Sequence, residues 1–106
     1  MLAGRIGTTT YARSPDVRER IGGDLRTLLQ QRYFDVVLST DPAALAALRT
    51  FAQPSHLLFG TDCPFVDPGM TIDGLHAAVL DAAILRAIER ENALMIFPRL
   101  SFEAAP

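Results

Sequence analysis

An α/β fold built from short parallel strands is what this sequence predicts, and three observations predict it. The segment Tyr33 to Leu38 is a short apolar run rich in β-branched and aromatic residues, and His56 to Phe59 is a second. Neither alternates cleanly, which suits strands covered on both faces. Between and around them the apolar residues recur at helical spacing, and Asp, Ser, Pro and Gly punctuate each change of period. Strands that alternate with helices imply parallel pairing through right-handed crossovers.

The 106 residues leave room for one domain with a packed core. Hydrophobic residues make up 49% of them and charged residues 21%, the composition of a globular chain. Twelve acidic and ten basic residues are spread along the sequence for a net charge of −2. No basic block is present to follow a phosphate backbone, so nucleic acid is not an expected partner. Between Met1 and Tyr11 only Leu2, Ala3 and Ile6 are apolar before three threonines, unlike a secretory leader. No run approaches the roughly 20 apolar residues of a membrane span. One cysteine, Cys63, offers no intrachain disulfide, and a cytoplasmic setting is the expectation.

Taken in order, Ser14-Pro15-Asp16 predicts a helix start, with Ser14 as cap and Pro15 in the first turn. Val17, Ile21, Leu25, Leu28 and Leu29 continue it at helical spacing across Gly22-Gly23, whose presence inside a helix calls for a local reason. Tyr33 to Leu38 is the first strand. Asp41-Pro42 opens the next helix, Ala43 to Phe51, with Leu45, Leu48, Phe51 and Ala52 on one face, and Gln53-Pro54-Ser55 ends it. His56 to Phe59 is the second strand, breaking at Gly60 into the polar turn Thr61-Asp62-Cys63-Pro64. After a loop holding Asp67-Pro68-Gly69, Thr71 is expected to cap the longest helix, which carries Ile72, Leu75, Val79, Ala82, Ala83 and Ile88 and stops at Asn92. Ala93 to Phe97 read as a short closing turn. Two strands alone leave unpaired edges, which are association sites unless covered.

Phe59-Gly60-Thr61-Asp62-Cys63-Pro64-Phe65 resembles the closing strand of the amidohydrolase-related family that includes aminocarboxymuconate-semialdehyde decarboxylase, where a strand ends in Gly-Thr-Asp-x-Pro. Tyr33-Phe34-Asp35 with Val36-Val37-Leu38-Ser39 resembles the preceding strand of that family, and Asp41-Pro42-Ala43-Ala44-Leu45 its next helix start. Glu91-Asn92-Ala93-Leu94-Met95-Ile96-Phe97 resembles its C-terminal helix-to-turn signature. Leu2-Ala3-Gly4-Arg5-Ile6 resembles a segment that follows a family His-x-Gly-Gly stretch, and the likeness runs from Leu2 to Leu100. The resemblance implies residues 1–106 as the C-terminal fragment of a single domain, the last two strands of a (β/α)8 barrel with their helices. It implies a metal-dependent hydrolase or carboxy-lyase acting on a small carboxylated or aromatic substrate. The expected metal is divalent, zinc by the resemblance, and the histidines that would bind it are not in this sequence.

By the same resemblance Asp62 is the active-site carboxylate, as metal ligand or proton relay. Read from its surroundings alone, an Asp between Gly-Thr and Cys-Pro is a turn former or a helix cap. Ser39 and Cys63 are expected to line a substrate pocket; a negative neighbour raises a thiol's pKa, so Cys63 is not a nucleophile candidate. Asp35 is either structural or pocket-lining, because a lone buried charge is costly. His56 and His76 match no family histidine, and with Asp62 and Cys63 they form no recognised zinc spacing. A catalytic zinc takes three protein ligands, so this chain alone is expected to be inactive. The alternative from a different class is a non-catalytic binding or assembly module, or the second half of a split enzyme. Its partners would be a separately encoded N-terminal half or further copies of itself.

Overall fold

The structure, a computed structural model, describes residues 13–101. The chain divides into two compact units, Met1–Arg32 and Tyr33–Pro106. The Leu2–Ile6 segment lies outside the described residues. Among the described residues no helix is long and apolar enough to cross a membrane.

In the first unit, α1 (Pro15–Ile21) and α2 (Leu25–Gln30) replace the single interrupted helix that periodicity suggests. Gly22 ends α1 with φ of 67°, a left-handed turn that supplies the local reason for glycine there, and its N–H donates to Arg18 O. Pro15 occupies the first turn, but the Ser14 side chain makes no cap bond. The cap falls instead at Asp24, whose Oδ2 accepts from the Thr27 hydroxyl at 3.0 Å and the Thr27 N–H at 3.2 Å, restarting the helix as α2.

In the second unit, β1 (Phe34–Asp35) is followed by α3 (Pro42–Phe51), a 3-10 turn (Pro54–His56) and β2 (Leu57–Leu58). Then come α4 (Pro68–Ala77), α5 (Ala82–Arg86), a π turn (Ala87–Glu91), α6 (Asn92–Ile96) and a last 3-10 turn (Pro98–Leu100). β1 and β2 pair in parallel with Phe34 opposite Leu57 and Asp35 opposite Leu58. Both strands are shorter than their apolar runs. Leu38 takes φ of 53° and Ser39 N–H folds back to Val36 O, so β1 ends early, while His56 belongs to the 3-10 turn.

Asp41 caps α3 as expected, accepting from Ala43 and Ala44 N–H. The expected helix from Thr71 to Asn92 is corrected at both ends and in the middle. Asp67-Pro68 repeats the cap-plus-proline signal of Asp41-Pro42, and Asp67 Oδ1 accepts from Gly69 N–H at 2.9 Å. Helix α4 therefore starts a turn earlier, and Thr71 is buried within it. Ala78 turns extended, and Asp81 caps a new helix through Ala83 N–H at 2.8 Å. An apolar period cannot reveal this break because Val79, which fits the period, points fully into solvent. Asn92 is no stop, and residues 93–96 are helical rather than a closing turn.

Side chains on a strand alternate between faces. Phe34, Val36 and Leu57 therefore share the face toward the helices, where Val36, Leu45, Ala52, Leu57, Leu75 and Ile88 form one buried cluster. Burial of each large member contributes roughly 1.5–3 kcal/mol. Phe34 adds an edge-on contact with Phe51 of α3, ring centroids 5.9 Å apart. Asp35 and Leu58 take the other face, where Asp35 is exposed and Leu58 half-buried. The expectation of strands covered on both faces thus holds for one face only.

The outer edge of β2 is covered as well. Asn92 Nδ2 donates to Leu57 O and to Pro54 O, each at 2.8 Å, and Phe59 N–H donates to Ile88 O at 3.0 Å. The expected open edge on this strand is therefore closed by the chain's own C-terminal helix.

Helix α4 lies against the segment after β1 through Gly74. A Cβ added there would sit 2.6 Å from Thr40 Cβ. Gly74→Ala should therefore cost about 1–3 kcal/mol through overpacking, read as a lowered urea midpoint. The hydrogen bonds from the Thr27 side chain and then its backbone N–H hold the Asp24 carboxyl below its ordinary 3.8. The sign follows: a depressed carboxylate stabilises the fold above the unfolded value and loses that contribution as pH falls through its folded value. Carbon-13 titration should find Asp24 below 3.8, with α2 fraying only at lower pH.

Candidate functional site

Parallel pairing sends the segments after β1 and after β2 out at the same end of the sheet, and each bends at a left-handed residue. After β1 it is Leu38, with φ of 53°; after β2 it is Asp62, with φ of 54°. Aspartate tolerates this region better than leucine does, but outside glycine it costs of order 1–3 kcal/mol and persists where surrounding structure imposes it.

The turn around Asp62 is built from its own backbone. The Asp62 carbonyl accepts from Phe65 N–H at 2.8 Å and Val66 N–H at 3.2 Å. Thr61 Oγ1 accepts from Cys63 N–H, and the Cys63–Pro64 peptide is cis. These bonds engage the backbone of Asp62 and leave its side chain exposed. The residue is a turn former through its main chain and an available acceptor through its carboxylate.

Asp35 meets this segment directly. A Cβ added at Gly60 would lie 2.8 Å from Asp35 Cβ and 3.1 Å from its carboxyl carbon, so glycine is what lets the two segments touch. Asp35 Oδ1 also accepts from Val37 N–H at 3.1 Å, closing the turn by which the chain leaves β1. The geometry favours the structural of its two expected roles. Ser39 is half-buried at this same end of the sheet, and Cys63 is an exposed free thiol. Asp62 and Cys63 lie on the segment after β2, which meets the end of β1 through Gly60 and Asp35, and Ser39 lies on the segment after β1.

The histidines lie elsewhere. His56 stacks on Tyr33 at the start of β2, ring centroids 4.2 Å apart. His76 of α4 donates through Nε2 to Glu89 Oε1 of the π turn at 2.7 Å. Among the described residues no group of three or more His, Cys, Asp or Glu side chains converges to hold a metal ion. A three-ligand site thus does not fit these residues alone. A cavity of about 290 Å³ opens beside the start of β2, lined by Leu57, Ile84, Ala87 and Asn92 with Arg49 and Pro54; Asp62 is not among its walls.

Asn92 is the residue whose part sequence reasoning missed. It follows Ile88 by one helical turn, so it falls on the buried stripe, and an amide on an apolar stripe is the signal that could have found it.

Comparison with known proteins bears on this loop. A family model described as amidohydrolase matches residues 8–99. The 6-methylsalicylic acid decarboxylase acuB of Aspergillus aculeatus is 35% identical over 107 residues, covering 93% of this chain and 32% of that enzyme. A 6-methylsalicylic acid decarboxylase of Penicillium expansum is 38% identical over 71 residues, covering 64% of this chain and 22% of that enzyme. The chain thus spans a third or less of the length of these relatives. No solved structure gives a significant match.

The contact between Gly60 and Asp35 can be measured by a double-mutant cycle. Gly60→Ala should destabilise the chain by about 1–3 kcal/mol. In an Asp35→Gly background the obstructing Cβ is gone, so that cost should shrink, giving a coupling of about 0.5–3 kcal/mol from urea unfolding.

Proposed function

The chain belongs to the amidohydrolase family, and from that premise we propose that it forms the closing section of a decarboxylase that acts on a small hydroxylated aromatic acid, with Asp62 as its working carboxylate. The observation that carries this is the likeness, over nearly the whole chain, to a decarboxylase of 6-methylsalicylic acid. The position of Asp62 agrees with it, on the segment leaving the C-terminal end of a parallel strand, which is where (β/α) barrels gather their catalytic groups.

The one-sided sheet supports a barrel section in particular. Parallel strands are normally covered on both faces, yet here Phe34, Val36 and Leu57 face the buried cluster of the second unit while Asp35 on the other face is exposed. We take the Asp35 and Leu58 face as the barrel interior, filled in a complete barrel by side chains of the other strands. Eight strands take about 250 residues, and the two found here leave the rest of that barrel, and the rest of the site, to further polypeptide. A metal at that site, zinc by the family resemblance, takes its remaining ligands from there too.

The chemistry asked of Asp62 is proton transfer. Loss of carbon dioxide from an aromatic acid adds a proton to the ring carbon that bears the carboxylate. The bond from that carbon to the carboxylate carbon then breaks, its electron pair returns to the ring, and carbon dioxide departs. An exposed carboxyl on a turn fixed by its own main chain can deliver a proton from Oδ and recover one from water without disturbing that turn. Ser39 and Cys63, on the neighbouring walls, contact the substrate ring or its substituents.

A chimaera of the Aspergillus decarboxylase in which this chain replaces the matching stretch tests the proposal. It should release carbon dioxide from 6-methylsalicylic acid, and Asp62→Asn should reduce kcat by about 10²–10⁴-fold, the range of a lost general acid or base. An Asp62→Asn chimaera that keeps its rate would remove Asp62 from the chemistry.

A further inference from the structure

Asn92 stands out among the buried groups that the proposed chemistry does not use. The residue is 6% exposed, and both of its Nδ2 bonds reach outside its own helix, to Pro54 O of the 3-10 turn and Leu57 O of β2. The π turn before it explains how it gets there. Asn92 N–H donates to Ala87 O, five residues back, where an α-helix would use Ile88 O four back. The displaced Ile88 carbonyl accepts instead from Phe59 N–H. One irregular turn thus performs two tasks: it aims the Asn92 amide at Leu57, and it frees an acceptor for Phe59. These residues bracket Leu58 on the outer edge of β2, and Asp62 follows three residues after Phe59.

From this geometry we propose that Asn92 and the π turn are the positioning elements of the Asp62 loop. The inference rests on Asp62 being the working carboxylate. A strand of two residues pairs with β1 along one edge only and has little hold on the segment after it. The bonds to Asn92 and Ile88 fix the other edge up to Phe59, and the Gly60 contact with Asp35 carries the constraint one residue further. Beyond that point the chain must enter the left-handed turn at Asp62. The His76 to Glu89 bond ties the π turn to α4, so the latch is anchored on the body of the unit. Asn92 touches no part of the proposed reaction and acts through the backbone of β2.

Solution NMR on the labelled 106-residue chain tests this without reference to activity. The wild type should show a slowly exchanging Phe59 amide and, at Asp62, the strong intraresidue amide-to-Hα cross-peak of a positive φ. Asn92→Asp replaces the donor amide with a carboxylate facing two carbonyls. It should speed Phe59 exchange by about five- to tenfold, the loss of one hydrogen bond's worth of protection. It should also weaken the Asp62 cross-peak, while the Leu45 and Leu75 amides keep their wild-type rates. A mere packing role would move those core amides and leave the Asp62 signature as it was. Retention of that signature once Phe59 protection is lost would overturn the proposal. Should Asn92→Asp fail to fold, nitrogen-15 relaxation in the wild type decides: order at Thr61 and Asp62 equal to that of α4 supports the latch, and the order of a free loop overturns it. A chimaera indifferent to Asp62→Asn would discard the catalytic role of Asp62 while leaving these conformational results to stand or fall on their own.

Discussion

A parallel ladder of two residues has more backbone polar groups on its edges than in its pairing, and satisfying them is the constraint on which the second unit depends. Val36 N–H and Leu58 O meet inside the ladder. On the far side of β2, Leu57 O and Phe59 N–H are met by an asparagine amide and a helix carbonyl. A buried group without a partner costs about 1–3 kcal/mol, comparable with the burial of a leucine. The helix from Ala82 to Ile96 therefore bends its repeat into a π turn, giving up regular pairing at one place to satisfy the strand edge.

The same economy of contacts organises the end of the sheet that holds Asp62. Two glycines mark places where the main chain of one element meets the side chain of another, Gly60 at Asp35 and Gly74 at Thr40. The end of β1 and the segment after β2 are therefore in contact, and α4 is pressed against the segment after β1. Two left-handed residues, Leu38 and Asp62, turn those segments at the same end of the sheet. On such a turn Asp62 has its backbone held and its side chain exposed.

The caps at Asp41 and Pro42, the face shared by Leu45, Leu48, Phe51 and Ala52, and the order of helices and strands were legible in the residues. So was the loop at Asp62, through the Gly-Thr-Asp-x-Pro resemblance. The failures share a cause. Periodicity counts apolar residues and cannot see a competing cap, so Asp67 and Asp81 restarted helices where the spacing of Ile72, Leu75, Val79 and Ile88 suggested one. Strand length was overestimated because an apolar run shows what is buried, whereas pairing ends where a residue such as Leu38 leaves the extended region. Asn92 was taken for a stop because asparagine is a common helix terminator; only its place one turn after Ile88 hinted at the buried stripe.

Local chemistry, which acts over three or four residues, was determined by the sequence itself: which segments cap, which face is apolar, where a turn must form, and to which family the pattern belongs. What the tertiary structure alone decided are the contacts between residues far apart in the chain, Asn92 with Leu57, Ile88 with Phe59, Gly60 with Asp35 and His76 with Glu89. Their existence depends on a strand edge needing partners that no neighbour in sequence can supply, and only the packing of the helices onto one face of the sheet brings such partners within reach.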